Sequence, residues 1–180
     1  MGQYFTCYTK SGSKETRYSL QFKGYESDTS IGYIGRKLTE HSYIHNFFCD
    51  YMSNLLYEHP MKISWVGDYA EGEFAKKVNN MEEIDIPFEE ERCKFNYNGK
   101  YLVNHTKNTF IPFDMLPSDS SGYIMYPVSL LTALGNGEGG GDYFGRDKEL
   151  CGTWQGDMLS IEDKVPSFYM PMKTPNFIDG

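Results

Sequence analysis

The sequence lacks long hydrophobic runs, and this absence excludes several classes of protein. No segment approaches the roughly 18 consecutive apolar residues that a membrane-spanning helix needs. The opening segment, MGQYFTCYTK, also lacks the apolar stretch of a secretion signal. Because only 39% of the 180 residues are hydrophobic, we expect a globular cytoplasmic protein that makes no contact with a membrane.

Cysteine and histidine are also sparse, with four residues of each. The cysteines lie far apart without a C-x-x-C pair, so we expect reduced thiols and no disulfide framework. His41, His45 and Cys49 recur at four-residue steps, which a helix would place near one another as zinc ligands. Such steps nevertheless rotate around the helix, and no fourth ligand is adjacent in sequence. We therefore favour ordinary polar residues over a zinc site.

The motifs of common catalytic and nucleotide-binding classes are missing. The sequence has no G-K-[ST] of a phosphate-binding loop and no G-x-S-x-G around a nucleophilic serine. Its cysteines and histidines occur without the local signature of a catalytic pair. Since no group of residues points to catalysis, we favour a protein that is not an enzyme, and we expect no cofactor.

Positive charge is the scarcer sign: 17 Lys and Arg stand against 25 Asp and Glu, and the net charge is −8. Because a nucleic-acid backbone is bound by a basic face, we expect no direct binding to nucleic acid. The acids are densest between residues 82 and 91, where mutual repulsion predicts an exposed linker or face. The residues that we expect to bind a partner there are Glu82, Glu83, Asp85, Glu89, Glu90 and Glu91.

Aromatic residues are abundant in contrast, with 15 Tyr and 12 Phe. Tyrosine buries a large ring while its hydroxyl stays hydrated, which suits a protein interface. Together the acids and tyrosines favour a protein partner with a basic, nucleic-acid-binding surface, whose association the negative charge would accelerate. The most concrete form of this hypothesis is a phage or mobile-element inhibitor of a host nuclease or defence effector, comparable to an anti-CRISPR protein.

Glycine is concentrated in GNGEGGGDYFG, residues 135–145, which begins with the G-x-G-x-x-G spacing of dinucleotide-binding loops. The flanking order is wrong for that fold, because SLLTAL precedes the glycines and the polar DYFGRDKEL follows them. We interpret the stretch as a helix cap and turn in which glycine takes positive φ. In an alternative hypothesis, the loop binds or processes a small ligand, a nucleotide or a divalent cation through oxygen ligands. The residues of that alternative site are Asn136, Glu138, Asp142 and Asp157.

Two pairs of similar segments indicate an internal repeat. GQYFTCYTK (2–10) resembles GKYLVNHTK (99–107), and ISWVGDYAE (63–71) shares W-x-G-D with GTWQGDMLS (152–160). We predict an α+β fold in which two diverged tandem units of roughly 90 residues pack as one pseudo-twofold domain. Each unit would contain a hairpin, a helix or loop, and a W-x-G-D strand.

The repeat also sets the predicted boundaries. They are 1–75 for the first unit, 76–98 for an acidic linker, 97–165 for the second unit and 166–180 for an extended tail. Because W-x-G-D occurs in both units, Asp68 and Asp157 are interpreted as structural residues that bond backbone N–H groups.

Apolar periodicity predicts two helices. Residues 38–57 carry apolar side chains at three- and four-residue steps, with Thr39 as a candidate N-cap. A shorter helix is predicted over residues 126–134, where the glycines would end it.

These segments together resemble a widespread family of small proteins found in bacteria and phages. Its members open with an M-G-Q-Y hairpin and carry a G-N-G-x-G-G-G-D loop followed by a W-x-G-D strand. Residues 99–163 match this pattern closely, whereas the first unit has a helix and HPMKI in place of the glycine loop. The resemblance implies a shared fold, and it brings no established activity with it.

Overall fold

The computed structural model describes residues 3–22, 37–86, 94–137 and 142–178. In these ranges the chain forms a mixed α+β fold, with one large sheet and four α-helices. The α+β class that the sequence predicts is therefore confirmed. None of the described helices combines the length and the apolar character that a membrane crossing requires.

The described ranges contain nine β-strands and four α-helices. The strands are β1 (Phe5–Ser11), β2 (Lys14–Phe22), β3 (Met61–Gly67), β4 (Glu83–Ile86), β5 (Tyr101–Asn104), β6 (Thr109–Pro112), β7 (Ala133–Leu134), β8 (Met158–Glu162) and β9 (Met170–Pro171). The helices are α1 (Leu38–His41), α2 (Phe47–Leu56), α3 (Glu73–Asn79) and α4 (Pro127–Leu131), with 3-10 turns at Phe113–Met115 and Lys148–Leu150.

The strands form one sheet in the order β4-β2-β1-β3-β8-β5-β6-β9, and β7 also pairs with β3. β3 and β8 meet antiparallel at the centre, where Met61 faces Leu159 and Lys62 faces Met158. On each side of this joint, two antiparallel pairings are followed by a parallel one. Both predicted hairpins are present, as β1–β2 and β5–β6.

Turn residues explain why the hairpins close where they do. Gly12 takes a φ of 60° in the β1–β2 turn, and Asn108 takes a φ of 53° in the β5–β6 turn. Asparagine tolerates this left-handed conformation better than most residues. At the end of β5, the Asn104 side chain accepts the N–H groups of Thr106 and Lys107, both at 2.9 Å. Local turn chemistry therefore defines each hairpin.

The sheet is covered on both faces. Trp65 of β3 points into the larger core, together with Phe48 of α2 and Leu130 of α4. The next residue, Val66, points to the opposite face, where it packs with Ala75 of α3 in a smaller cluster. This alternation follows from the two-residue period of a strand, and it explains why β3 is buried along most of its length.

The two W-x-G-D sequences occupy different positions in the fold. The first ends a strand, because Trp65 and Gly67 lie in β3. The second forms the turn that precedes β8, so the expectation of a second W-x-G-D strand is wrong. Trp154 of this turn is nevertheless buried in the same core as Trp65.

The predicted helix over residues 38–57 is divided into α1 and α2. The segment between the two helices pairs instead with the chain ahead of α4. The N–H of Tyr126 donates to the carbonyl of Ser42 at 2.7 Å, and the N–H of Ile44 donates to the carbonyl of Ile124 at 2.9 Å. These long-range bonds take the place of intrahelical ones, so the helix breaks despite its continuous apolar periodicity.

The caps of the divided helix differ from the prediction as well. After the break, His45 takes a φ of 72°, and α2 begins where the Asn46 side chain accepts the N–H of Phe48 at 3.0 Å. Thr39 lies inside α1 and is not its N-cap. Its hydroxyl donates instead to the carbonyl of Asp142 at 2.7 Å, which ties α1 to the glycine loop.

The second predicted helix, over residues 126–134, is shorter than expected. α4 ends at Leu131, and β7 follows it by pairing in parallel with Trp65 and Val66 of β3. The glycine loop therefore leaves a strand, and the interpretation of its first residues as a helix cap is wrong. After Leu131, the chain pairs with β3 through β7 and does not continue as a helix.

Candidate functional site

The side chain of Gln3 joins the start of the chain to the glycine loop. Its Nε2 donates to Oδ1 of Asn136 at 3.2 Å and to Oδ1 of Asp142 at 3.0 Å. Gln3 is fully buried, and it lies against two glycines. A Cβ atom on Gly67 or Gly135 would come within 2.2 or 3.2 Å of Gln3 Oε1. Glycine is therefore required at Gly67 for this packing, and it relieves crowding at Gly135.

The Asp142 side chain links Gln3 to the glycine loop by accepting hydrogen bonds from both. Besides the Gln3 amide, its carboxylate accepts the backbone N–H of Gly137, a residue with a φ of 76°. Burial raises the pKa of the Asp142 carboxyl above its ordinary value, and the bond from Gly137 opposes part of that rise. The structure thus brings Asn136 and Asp142 together as the alternative hypothesis requires, while Glu138 lies outside the described residues.

A cavity of about 490 Å³ borders this loop, a volume that suits a small molecule. Its lining is Leu38, Ala133, Leu134, Gly135, Gly137, Asp142, Tyr143, Phe144, Lys148, Glu149 and Cys151. Burial raises the pKa of Cys151 to about 12, so its thiol stays protonated at neutral pH and is a poor nucleophile.

Asp157 bonds to the β5–β6 hairpin and does not line the loop cavity. Its carboxylate accepts hydrogen bonds from Nδ2 of Asn104 at 2.8 Å and from Nζ of Lys107. Asp68 of the other W-x-G-D accepts the backbone N–H of Tyr4 at 2.9 Å. Asp68 thus bonds a backbone N–H as predicted, whereas the hydrogen bonds of Asp157 come from side chains.

The described part of the acidic segment lies on or next to β4, the terminal strand of the described sheet. Glu82, Glu83 and Asp85 are all exposed, as is Ile84 between them. Arg17 of the neighbouring β2 pairs with Glu83 at 3.2 Å. The remaining acids predicted to contact a partner, residues 89–91, lie outside the described residues.

The zinc arrangement considered for His41, His45 and Cys49 is not formed by the side chains that can be placed. His45 is 72% exposed, Cys49 is completely buried, and the side chain of His41 lies outside the description. Burial raises the pKa of the Cys49 thiol well above its usual range, which disfavours the thiolate that zinc needs. Among the described residues, no three His, Cys, Asp or Glu side chains are grouped to hold a metal ion.

A polar chain around His105 has the composition of a catalytic site but not its geometry. Nε2 of His105 lies 2.7 Å from the hydroxyl of Ser160, and Nδ1 lies 3.1 Å from that of Tyr169. Ser160 is completely buried, and it donates its proton to Glu162 at 2.7 Å. A nucleophilic serine must be accessible and must donate to the histidine. This chain therefore ties the residue after β5 to β8 and to the residue before β9.

A buried polar network beside α2 was not anticipated from the sequence. Asp50 is almost fully buried, and its Oδ1 accepts the hydroxyl of Tyr97 at 2.7 Å. Ser53 Oγ then lies 2.9 Å from the hydroxyl of Tyr97 and 2.8 Å from that of Tyr126. The available signal was an acid within an apolar helical segment, since aspartate is rarely buried without a partner.

Comparison of the chain with protein-family models, with curated proteins and with solved structures finds no match. The resemblance to the M-G-Q-Y family therefore stays a prediction. The structure adds that the residues carrying this resemblance are in contact, because Gln3 of M-G-Q-Y bonds to Asn136 and Asp142 of the glycine loop.

Proposed function

We propose that this protein is a non-enzymatic binding protein whose acidic strand β4 contacts a basic surface on a protein partner. The observation that carries the proposal is the exposure of four consecutive residues, 82–85, three of them acidic, on and beside the terminal strand of the described sheet. Solvent-facing acids at a sheet edge are accessible to a partner, and exposed Ile84 supplies an apolar contact among them. Interfaces combine an apolar centre with a polar rim, and Ile84 with the acids around it would supply both.

The charge on this surface is only partly neutralised within the chain. Arg17 offsets Glu83, whereas no ion pair involving Glu82 or Asp85 occurs among the described residues. With a net charge of −8 on the whole chain, long-range attraction would speed association with a basic partner. We therefore expect an association rate that falls steeply as salt is added.

The partner that fits this chemistry best is a protein whose basic groove binds nucleic acid. An acidic strand in that groove would compete with the phosphate backbone for the same lysines and arginines. A phage or mobile-element inhibitor of a host nuclease or defence effector, acting in the cytoplasm, would work in this way. Glu89, Glu90 and Glu91 follow a few positions later in the sequence and add three more negative charges.

The experiment reverses charge on the described part of β4. Glu82→Lys combined with Asp85→Lys should abolish capture of basic host proteins from lysate, and added DNA should displace those proteins from the wild type. The matched control, Glu71→Lys with Glu73→Lys, makes the same change in net charge on exposed residues near α3. If both double variants lose capture equally, net charge alone explains the loss, and the proposed role of β4 is refuted. The chelator EDTA should leave capture unchanged.

A second candidate function is favoured by the cavity of about 490 Å³ beside Asp142. In this alternative the glycine loop holds a small ligand, a nucleotide or a divalent cation. Asp142→Ala should then remove the thermal stabilisation that such a ligand produces while the fold persists. If nucleotides and divalent cations leave the melting temperature of the wild type unchanged, this second function is refuted for those ligands.

The strand order also supports a proposal about architecture. Each half of the sheet contains a hairpin, a third antiparallel strand beside the central joint and a parallel strand outside the hairpin. We therefore interpret the chain as two diverged units related by an approximate twofold axis at the β3–β8 joint. In this arrangement the glycine loop belongs to the second unit and contacts Gln3 of the first.

A further inference from the structure

A cavity of about 590 Å³ lies beside α2, on the side where the chain runs towards β5. Its lining residues are His45, Phe47, Asp50, Lys94, Phe95 and Asn96. It shares no lining residue with the glycine-loop cavity and none with the acidic surface of β4. The cavity thus combines two aromatic rings with a single carboxylate.

Among the described residues, the carboxylate of Asp50 has no strong counter-charge. No lysine or arginine of the described ranges forms an ion pair with it, and the closest basic atom is Nδ1 of His45, at 3.7 Å from Oδ2. The Asp50 side chain is only 4% exposed, and burying an unpaired carboxylate is costly. Burial accordingly raises the pKa of Asp50 above its ordinary value. A ligand that supplies positive charge here would offset this cost.

The two carboxylate oxygens of Asp50 differ in how many further hydrogen bonds they can accept. Oδ1 accepts the backbone N–H of His45 at 3.2 Å and the hydroxyl of Tyr97 at 2.7 Å. Within the described part of the chain, the hydrogen bond that Oδ2 accepts comes from the backbone N–H of Phe95, at 3.4 Å. A guanidinium group binds best when it reaches both oxygens at once. Because one oxygen is already occupied, a single-point donor such as a primary ammonium group fits better.

We infer that this cavity binds a primary ammonium group on an aliphatic stem, with the nitrogen at Oδ2 of Asp50 and the stem between Phe47 and Phe95. Aromatic rings attract both alkyl groups and cations. Lys94 is exposed beside the same cavity; its charge repels any cation, and it repels a ligand with a second positive group more strongly. The site therefore suits a monocation, either a free alkylamine or a lysine side chain of another protein.

Two further groups face the Asp50 carboxylate. The hydroxyl of Tyr97 donates to it at every pH at which the phenol is protonated, and burial raises the pKa of Tyr97 well above its usual range. Nδ1 of His45 lies 3.7 Å from Oδ2. Binding should weaken in acid as Asp50 itself becomes protonated, because the neutral carboxyl no longer attracts the ammonium group.

A ligand series on the wild-type protein tests the charge and the stem together. In an NMR titration, n-butylamine should shift the backbone amide signals of His45 and Phe95, which both donate to Asp50. Butan-1-ol has nearly the same shape without the charge, and butyrate carries the opposite charge. Both should bind at least roughly tenfold more weakly, since a charge-assisted bond contributes that much or more. Equal or tighter binding of butyrate or butanol would overturn the inference.

Asp50→Asn keeps the shape of the side chain and should reduce butylamine affinity by roughly tenfold or more. Glu71→Gln is the control, because it removes the same charge from an exposed residue outside the cavity. If both variants bind the amine as the wild type does, the carboxylate of Asp50 is not the ligand group and the inference fails. If Asp50→Asn does not fold, the relative affinities of the wild type for the amine, the alcohol and the carboxylate still test whether the cavity binds an ammonium group.

The two sources of the ammonium group are separated by adding backbone to the ligand. Nα-acetyl-lysine methylamide should bind more tightly than n-butylamine if the natural occupant is a protein lysine, and less tightly if it is a free amine. Either order supports an ammonium site. Absence of binding by both compounds at millimolar concentration would refute it.

Discussion

Replacing Gly67 with alanine would drive a methyl group into the side chain of Gln3. A Cβ atom at this position would lie 2.2 Å from Gln3 Oε1 and 2.7 Å from its Cδ. Gln3 is fully buried and donates to the glycine loop, so it cannot move aside without losing those bonds. We therefore expect Gly67→Ala to detach the start of the chain from the loop.

The magnitude follows from two contributions. Overpacking of this kind costs about 1–3 kcal/mol. Loss of the Gln3 amide bonds to Asn136 and Asp142, one of them to a carboxylate, adds about 1–3 kcal/mol. Gln3→Ala should cost about 2–4 kcal/mol by itself, because it removes these bonds and also leaves a small void.

The informative quantity is the coupling between the two changes. Once Gln3→Ala has vacated the space, Gly67→Ala has nothing left to displace, so the double variant should be no less stable than Gln3→Ala alone. The coupling free energy should then equal the whole cost of Gly67→Ala, at least about 2 kcal/mol, against about 0.5 kcal/mol or less for independent sites. Gly12→Ala, in the distant β1–β2 turn, should show no coupling with Gln3→Ala.

Urea unfolding of the four proteins in this double-mutant cycle measures the coupling directly. Thermal melts provide a check, because a change of about 2 kcal/mol should move the melting temperature by about 4–8 °C in a chain of this size. Additive effects of Gly67→Ala and Gln3→Ala would refute the packing argument, since they would mean that the two residues do not compete for space.

Two further predictions concern charge. Because burial raises the pKa of Asp50, the folded protein holds this proton more tightly than the unfolded chain, and its stability should fall as pH rises from about 4 through the raised pKa. Asp50→Asn should lack this fall in urea unfolding at stepped pH, and identical slopes would count against a perturbed Asp50. Arg17 donates to the carbonyls of Asn79 and Met81 and pairs with Glu83. Arg17→Ala should therefore speed hydrogen exchange in β4, with Arg17→Lys intermediate, and unchanged protection would contradict this anchoring role.

The parts of the fold that could be predicted are those that local sequence determines. The two hairpins follow from turn residues such as Gly12 and from short strand-like segments on either side. Glu82, Glu83 and Asp85 are exposed, as their mutual repulsion predicts. In these places the neighbours along the chain supply most of the determining interactions.

The parts that were missed depend on residues far apart in sequence. α1 and α2 separate because Ser42 bonds to Tyr126, and no periodicity within residues 38–57 contains that information. The partnership of Gln3 with Asp142 spans 139 positions. The Asp50 network likewise requires Tyr97 from a distant segment. Each of these contacts joins residues that are distant in sequence, so no local sequence pattern predicts it.

The burial of Gln3 also has a consequence for the order of events during synthesis. Residue 3 is synthesised before its partner Asp142, which is added 139 positions later. At roughly 5–20 residues per second, the delay is about 7–28 seconds. Throughout this interval β1 and β2 can pair while the amide of Gln3 remains hydrated. The hydrogen bonds of Gln3 to the glycine loop therefore form late in translation. On a ribosome stalled before the glycine loop, Gln3 would still lack these bonds.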